Sequence, residues 1–249
     1  MPLATAGNAC HGCRVRAPKV ILFDAAGTLF HLPRGVGWHY AEVARRHGVE
    51  VEPQVLDAAF RQAWKNAPAP AETDGPRLDD DRGWWRALVE NVWVTIGAPA
   101  LDRDAYLAEL WTEFTRPGVW ELFPETREVI STLANRFRLG VLSNFDSRLH
   151  VILGNLGLSH FFEHVVVSSE VGAEKPSRRM FEDAADRFDA PPGEMLHAGD
   201  EPEADWRGAT AAGLRVFEVR RPEQSLRGLL ALLDKGNANA DAALHGTRV

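Results

Sequence analysis

Near the start of the chain stands the segment Lys19-Val20-Ile21-Leu22-Phe23-Asp24-Ala25-Ala26-Gly27-Thr28-Leu29-Phe30. Four large apolar residues, Val20 to Phe23, run directly into the carboxylate of Asp24. A short apolar run that ends at turn residues is typical of a strand buried on both faces, as in a parallel sheet. Asp24 would then lie at the carboxyl end of that strand, where open α/β sheets hold their ligands. Gly27 allows the backbone to turn sharply just beyond it.

The composition is that of an ordinary globular chain. Its 249 residues allow one large domain or two modest ones, and 45% of them are hydrophobic and 25% charged. The formal net charge is −7 and no basic run stands out, which argues against a nucleic-acid partner. No apolar stretch approaches the roughly 18 residues of a membrane span, so no membrane contact is expected. We expect a cytoplasmic enzyme that is a monomer or a homodimer.

The two ends of the chain carry weaker signals. Cys10 and Cys13 form a Cys-x-x-Cys pair around a His, which can bind a metal or take part in redox chemistry. Because no second Cys pair exists and the motif precedes the first strand, we interpret residues 1–18 as a disordered extension. Residues 235–249, which include Gly236 and Asn237, are interpreted as a disordered tail. The absence of a disulfide framework favours the cytoplasm.

Between residues 34 and 118 the apolar pattern is helical. Four amphipathic helices with short connections are predicted, and residues 68–76, rich in Pro and Ala, are predicted to form a loop. Lys65 is the only lysine in this region and is interpreted as solvated surface. Four tryptophans are interpreted as the core of the bundle rather than as substrate ligands. They are Trp64, Trp85, Trp93 and Trp111.

From Glu121 to Leu233, strand patterns alternate with helical patterns, which predicts a parallel sheet covered by helices. Right-handed crossovers place the carboxyl end of every strand at the same edge. The strand ends carry groups suited to phosphoryl transfer: a carboxylate that can be phosphorylated, donors for the phosphate oxygens, and acids that can hold Mg²⁺. These groups are Asp24, Ser143, Asn144, Lys175, Asp200 and Asp205.

The same segments resemble, in order, four motifs of the haloacid-dehalogenase-like hydrolase superfamily, and the resemblance extends from Lys19 to about Leu233. Each motif alone is weak, but four in the right order, each after a predicted strand, argue against coincidence. Overall spacing is most similar to the rhythmically-expressed-gene-2-like subgroup. The motifs stand here as Asp24-Ala25-Ala26-Gly27-Thr28, Val141-Leu142-Ser143-Asn144, Gly172-Ala173-Glu174-Lys175-Pro176, and His197-Ala198-Gly199-Asp200 followed by Asp205.

The resemblance implies a fold and a set of roles. The fold is α/β, with a Rossmann-like parallel sheet as its core (residues 19–33 and 119–234) and an inserted α-helical bundle as a cap (residues 34–118). Asp24 is implied to be the nucleophile, with Lys175 as the second catalytic residue. Phosphate binding is implied for Ala25, Ala26, Thr28, Ser143, Asn144 and Lys175. Mg²⁺ binding is implied for Asp24, the backbone carbonyl of Ala26, Asp200 and Asp205. His197, in the middle of a strand, is interpreted as a buried structural residue.

One position departs from the family pattern. The phosphatases of the superfamily carry a second Asp two residues after the nucleophile, and that Asp protonates the leaving oxygen and later activates water. General acid–base catalysis of this kind is worth about 100- to 10,000-fold in rate, and Ala26 cannot supply it. We therefore predict a Mg²⁺-dependent phosphatase of small phosphate monoesters that works through an aspartyl-phosphate and turns over slowly.

Two alternatives stay open at the level of sequence. The first is another hydrolase of the superfamily. The 2-haloacid dehalogenases also lack the second Asp, but they use no metal and carry Ser-Asn in place of Gly199-Asp200. Phosphonoacetaldehyde hydrolases carry Asp-x-Ala-Gly-Thr and use a cap lysine, for which Lys65 is the one candidate. The second alternative is a protein that binds a phosphorylated ligand or a partner with little turnover.

Overall fold

The computed structural model describes residues 18–97 and 101–234. The Cys10 and Cys13 motif, the predicted extension up to Ala17 and the predicted tail from Lys235 lie outside the described residues. A five-stranded parallel sheet with the order β5-β4-β1-β6-β7 forms the centre of the molecule. Its strands are β1 (Val20–Phe23), β4 (Arg138–Ser143), β5 (His164–Val167), β6 (Met195–Gly199) and β7 (Arg215–Glu218).

Helices cover both faces of this sheet. Two apolar clusters, one on each face, bury Ile21 and Phe23 on one side and Val20 and Leu22 on the other. The apolar run of β1 is thus buried on both faces, as the sequence predicts. The helices are α5 (Thr126–Ala134), α6 (Arg148–Asn155), α7 (Ser168–Val171), α8 (Arg178–Phe188), α9 (Gly208–Ala211) and α10 (227–234), with short 3₁₀ turns at Ser159–Phe161 and Pro192–Glu194.

A helical cap is inserted between two short strands that pair antiparallel, β2 (Phe30–His31) and β3 (Glu121–Leu122). The cap has an apolar cluster of its own, in which Tyr40, Trp93 and Tyr106 are fully buried. Its helices are α1 (Gly35–Arg46), α2 (Pro53–Asn66), α3 (Arg82–Thr95) and α4 (Arg103–Glu113). The predicted α/β fold with a helical cap is therefore confirmed.

Of the four tryptophans interpreted as bundle core, Trp93 is fully buried in it and Trp85 packs against it while partly buried. Trp64 is 51% exposed. Trp64, Trp85 and Trp111 line a cavity between the cap and the sheet rather than the centre of the bundle. Helical periodicity identifies the apolar face of a helix, but it does not reveal that part of this face projects beyond the bundle and over the sheet.

Local differences from the prediction lie mostly in short elements. The helix predicted for residues 204–212 is divided into a π-helical turn, Pro202–Arg207, and α9. The wide turn forms because the backbone N–H groups of Asp205 and Trp206 both bond the carbonyl of Glu201. The short elements β2, β3 and α7 were not predicted. Among the described residues, no helix is long and apolar enough to cross a membrane.

Candidate active site

The carboxylate of Asp24 lies just beyond the central strand and is almost fully buried. Lys175 Nζ donates to Asp24 Oδ1 over 2.7 Å, and Ser143 Oγ donates to the same oxygen over 3.0 Å. The parallel register brings the carboxyl ends of these strands together, because Phe23 is level with Val141 of β4 and Ala198 of β6. The predicted convergence of Asp24, Ser143 and Lys175 at one edge is therefore observed.

Lys175 is buried and uses all three donors of its ammonium group. In addition to Asp24 it donates to Asp205 Oδ1 (2.6 Å) and to the carbonyl of Leu142 (2.9 Å). Burial alone would lower the pKa of Lys175, but the two carboxylates raise it above its ordinary value. The side chain therefore stays charged and forms a fixed positive centre beside Asp24.

Asn144 supports this lysine from the neighbouring strand end. Its side-chain amide donates to the carbonyl of Lys175 over 2.9 Å and accepts from the backbone N–H of Lys175 over 2.7 Å. The amide thus fixes the backbone that carries the ammonium group. The predicted contact of Asn144 with phosphate stays a prediction, although the residue also lines the cavity above Asp24.

Asp205 lies inside the π-helical turn, where every one of its oxygens has a partner. Oδ1 accepts from Lys175 and is 2.8 Å from His197 Nε2, and Oδ2 accepts from the backbone N–H of Glu201. Burial alone would raise the pKa of Asp205, but Lys175 and His197 bring it well below its ordinary value. His197 is completely buried, as predicted. Asp205 is thus ionised at neutral pH and supports Lys175.

Asp200 has fewer partners. Thr28 Oγ1 donates to its Oδ1 over 2.9 Å, so the side chain predicted to bind phosphate is engaged with Asp200. Gly27, at φ +92°, passes so close that an added Cβ would lie 2.3 Å from Asp200 Oδ2. Burial raises the pKa of Asp200 above its ordinary value, more than the Thr28 bond lowers it. Gly27 is therefore required both by its backbone angle and by this close approach.

Three carboxylates, those of Asp24, Asp200 and Asp205, each offer an oxygen within 4.8 Å of one another. The charge balance fits a divalent cation, because Lys175 contacts only two of the three acids. Burial also raises the pKa of Asp24, against the opposing charge of Lys175. Oxygen ligands in this number are those that hard divalent cations prefer. The cluster therefore has the donor set of a metal site.

Three further residues near the site were not found from the sequence. Arg221 donates to the carbonyl of Thr28 (2.9 Å) and to Glu125 (2.6 Å), which ties the turn after Asp24 to the start of α5. Arg148 is buried and forms a bidentate ion pair with Asp146, with hydrogen bonds of 2.8 and 2.6 Å. No spacing rule connects Arg221 to Thr28 across the chain. The Asp146 and Arg148 pair is marked in the sequence only by its place after the Ser143-Asn144 motif.

Above Asp24 lies a cavity of about 400 Å³ between the sheet edge and the cap. Ala26 borders it next to Asp24, with Ser143 and Lys175 also at its floor. Ala25, in contrast, is completely buried. A ligand in this cavity would contact the acidic site at one end and the cap at the other.

The fold and the site together define a capped α/β protein with a carboxylate–lysine site at the carboxyl edge of its parallel sheet. The family model for haloacid dehalogenase-like hydrolases matches residues 18–213. The chain therefore belongs to this family, and its predicted membership is confirmed.

Individual relatives agree with this placement. The chain is 34% identical to Bos taurus haloacid dehalogenase-like hydrolase domain-containing protein 3, over 82% of this chain and 83% of that one. It is 28% identical to the Drosophila melanogaster rhythmically expressed gene 2 protein, over 78% and 80%. These two support the predicted subgroup. Among solved structures, Bacillus subtilis YfnB bound to magnesium has a TM-score of 0.67 at 20% identity, over 88% of this chain and 100% of that one.

Proposed function

We propose that the chain is a Mg²⁺-dependent hydrolase of small phosphate monoesters that works through an aspartyl-phosphate at Asp24. The observation that carries the proposal is the carboxylate of Asp24, which borders the cavity while Lys175 and Ser143 hold its Oδ1 at 2.7 and 3.0 Å. A carboxylate with a fixed cation and a hydroxyl donor beside it is suited to nucleophilic attack on phosphorus.

The arrangement favours attack by the other oxygen of Asp24, Oδ2. Lys175 and Ser143 both bond Oδ1, and among the described residues no donor is bonded to Oδ2. Asp24 Oδ2 forms the new bond to phosphorus while the ester P–O bond breaks. The ammonium of Lys175 and the hydroxyl of Ser143 then lie where they can stabilise charge on the phosphoryl oxygens.

The carboxylates of Asp24 and Asp200 are proposed to hold Mg²⁺ together with the carbonyl of Ala26, with Asp205 as a supporting residue. When bound, the ion supplies positive charge that offsets the negative charges of the phosphate and the carboxylates. Asp205 acts mainly by fixing Lys175, because both of its oxygens already have protein partners.

Ala26 at the border of the cavity supports low turnover. Its methyl group can neither donate a proton to a leaving oxygen nor accept one from water. Without this acid–base group we expect a rate about 100- to 10,000-fold below that of the same site with a carboxylate there.

A dehalogenase is the second candidate, because halide needs no proton to leave and Ala26 is compatible with that chemistry. Asp200 argues against it, since a haloacid would bring its own carboxylate towards a partly buried acid that contacts no basic side chain among the described residues. The phosphonoacetaldehyde hydrolase alternative requires a lysine in the cavity. Lys65 is exposed and is not among the residues that line it.

The test is phosphate release from acetyl phosphate and glucose 6-phosphate, with Mg²⁺ or with a chelator, by wild type, Asp24→Asn and Ala26→Asp. We expect slow release that needs Mg²⁺, a loss of about 1,000-fold or more in Asp24→Asn, and a gain in Ala26→Asp. If wild type releases chloride from 2-chloropropionate but no phosphate from either phosphate compound, the protein is a dehalogenase and the proposal is wrong.

A further inference from the structure

The cavity above Asp24 is polar at its floor and aromatic on the side of the cap. The charged side chain that the cap contributes to its lining is Arg61, which is largely exposed and pairs with Asp57 at 2.9 Å. The hydroxyl groups of a sugar or a polyol would find few partners against such a lining, and burying them unpaired is costly. The aromatic side chains that line it from the cap include Phe60, Trp64, Trp85, Trp111 and Phe114.

Three of these rings, those of Trp64, Trp85 and Trp111, form what we call the aromatic wall. Trp64 and Trp85 are 5.9 Å apart between ring centroids. The indole N–H of Trp85 donates to Asp146 over 2.9 Å, and the guanidinium of Arg148 lies 3.7 Å from the centroid of the Trp111 ring. Contacts with the buried Asp146 and Arg148 pair thus hold Trp85 and Trp111 in place, and a wall of fixed rings favours a flat apolar ligand.

The floor of the cavity adds a separate constraint on the ligand. Ala26 offers no proton to the leaving oxygen. An aliphatic alkoxide is about as basic as hydroxide, because the alcohol that it forms is about as weak an acid as water. A phenolate is far less basic, since phenols such as the tyrosine side chain have a pKa of about 10. An aryl ester can therefore be cleaved without an acid at position 26, whereas an alkyl ester depends on one.

We propose that the substrates are phosphate monoesters of aromatic alcohols of the phenol type, with the ring against the aromatic wall and the phosphate at Asp24. This inference rests on the proposed phosphatase function and narrows its substrate class. The aromatic wall supports this proposal through the shape and apolarity of the cavity. The floor supports it independently, because Ala26 is no proton donor.

The two steps balance without a further reactant. In the first, Asp24 Oδ2 bonds to phosphorus, the P–O(aryl) bond breaks, and its electron pair leaves with the phenolate, which takes a proton from solvent. In the second, a water oxygen attacks phosphorus, the Oδ2–P bond breaks, its electron pair returns to Asp24, and the proton goes to solvent. The second step lacks the base that Ala26 cannot provide, so aryl substrates should give a burst of phenol before the steady state.

Four substrates separate ring recognition from leaving-group chemistry. 1-Naphthyl phosphate has both the ring and the weakly basic leaving group, and naphthylmethyl phosphate has the ring with an alkoxide leaving group. Acetyl phosphate has a good leaving group without a ring, and glucose 6-phosphate has neither. We expect kcat/KM to be highest for 1-naphthyl phosphate, at least about 100-fold above naphthylmethyl phosphate, which is the lower limit of what a general acid supplies.

Amino-acid substitutions test which residues are responsible for ring recognition and which for the dependence on the leaving group. Trp111→Ala should raise KM for 1-naphthyl phosphate about 10-fold, the loss of one ring contact and its burial, with a smaller change for acetyl phosphate. Trp64→Ala tests the same wall at a half-exposed position, where less buried contact is lost than at a fully buried ring. Trp38→Ala, which removes a tryptophan outside the cavity lining, is the matched control and should change nothing. Ala26→Asp should raise the rate on naphthylmethyl phosphate more than on 1-naphthyl phosphate.

The outcomes distinguish this inference from the function on which it rests. If acetyl phosphate and glucose 6-phosphate are cleaved with dependence on Asp24 and Mg²⁺, but 1-naphthyl phosphate has no advantage, the phosphatase stands and the aryl specificity is overturned. If the advantage exists but survives both wall variants, recognition by the aromatic wall is overturned. If none of the four compounds releases phosphate, both proposals fail together.

Discussion

At the scale of single residues, Asp200 differs from the other two acids of the site. Asp24 and Asp205 each contact the ammonium of Lys175, whereas among the described residues Asp200 accepts a side-chain hydrogen bond only from Thr28. Burial raises its pKa above the ordinary value of 3.8. The ionised form is therefore disfavoured in the folded protein. As the pH rises through that raised pKa, Asp200 lowers the free energy of unfolding of the metal-free protein.

Asp200→Asn should consequently stabilise the protein at pH 7 in the presence of a chelator. Asn is neutral at every pH, so the gain over wild type should shrink as the pH is lowered towards 4, where the acid itself becomes neutral. In Mg²⁺ the order should change, because wild type gains stability on binding the ion and the variant gains less. Urea unfolding with and without Mg²⁺ measures both effects. Exposed Asp104, replaced by Asn, is the control. A variant less stable than wild type in chelator at pH 7 would contradict this account of Asp200.

At the scale of elements, residues 67–81 act as a strap from the cap onto the sheet. The backbone N–H of Thr73 donates to the carbonyl of Gly172, and that of Arg77 donates to the carbonyl of Ser169. An added Cβ on Gly172 would lie 2.1 Å from the carbonyl of Gly75, which explains a glycine three residues before Lys175. The strap thus bears on the same segment that carries the lysine of the site.

Asp80 is the residue of the strap with the most contacts to the core. Its Oδ1 accepts from the backbone N–H of Ser147 (3.0 Å) and from Ser169 Oγ (2.7 Å), so it also caps the start of α6. Asp80→Ala should lower the free energy of unfolding by about 1–3 kcal/mol, since it removes an acceptor from the buried hydroxyl of Ser169. Proteolysis within the strap should also become faster.

Two further variants separate the lost contacts from the local backbone. Asp80 has a positive φ of 53°, which Asn tolerates better than Ala, and Asn keeps an acceptor oxygen. Asp80→Asn should therefore lie between wild type and Asp80→Ala in urea unfolding. Asp74→Ala changes an exposed acid of the same segment and should leave stability unaltered. Equal losses in Asp74→Ala and Asp80→Ala would show that the contacts of Asp80 are not what holds the strap.

The elements also show how far sequence reasoning reaches. The bounds of β1 follow directly from four apolar residues and a carboxylate, because a strand buried on both faces has a pattern that few other structures share. The two-residue strands β2 and β3 are too short to leave a pattern. The loop predicted at 68–76 is correct as a loop, but its docking depends on backbone groups and on Asp80, which carry no periodic signal.

Within the site, residue types and their order predicted which groups meet, and the structure adds what each one contacts. Lys175 reaches Asp24 as expected, but Thr28 and Asn144 are engaged with Asp200 and with the backbone of Lys175. Hydrogen-bond partners depend on the three-dimensional placement of short polar side chains. A motif fixes their spacing along the chain, and it leaves that placement open.

At the scale of the whole molecule, the chemistry and the recognition surface come from different parts of the chain. The three carboxylates and Lys175 all belong to the sheet core, whereas the aromatic wall belongs to the cap. The apolar cluster of the cap is separate from the two clusters of the core. The strap and the contacts of the aromatic wall with the Asp146 and Arg148 pair are among the links between the two parts. A ligand that contacts only the core should therefore leave the cap little changed. A ligand that contacts both the core and the aromatic wall should also stabilise the cap.

Hydrogen exchange should reveal this difference. Mg²⁺ alone binds groups of the core only, so it should slow amide exchange around Asp24 and Asp200 with little change in the cap. Mg²⁺ together with naphthylmethylphosphonate, which cannot be hydrolysed because carbon replaces the ester oxygen, should also slow exchange in α2, α3 and α4, since its ring would lie against the aromatic wall. Methylphosphonate is the control without a ring, and Trp111→Ala should weaken the effect in the cap but not around Asp24. If both phosphonates protect the cap equally, the protection depends on the phosphonate group alone and the aromatic wall has no part in it.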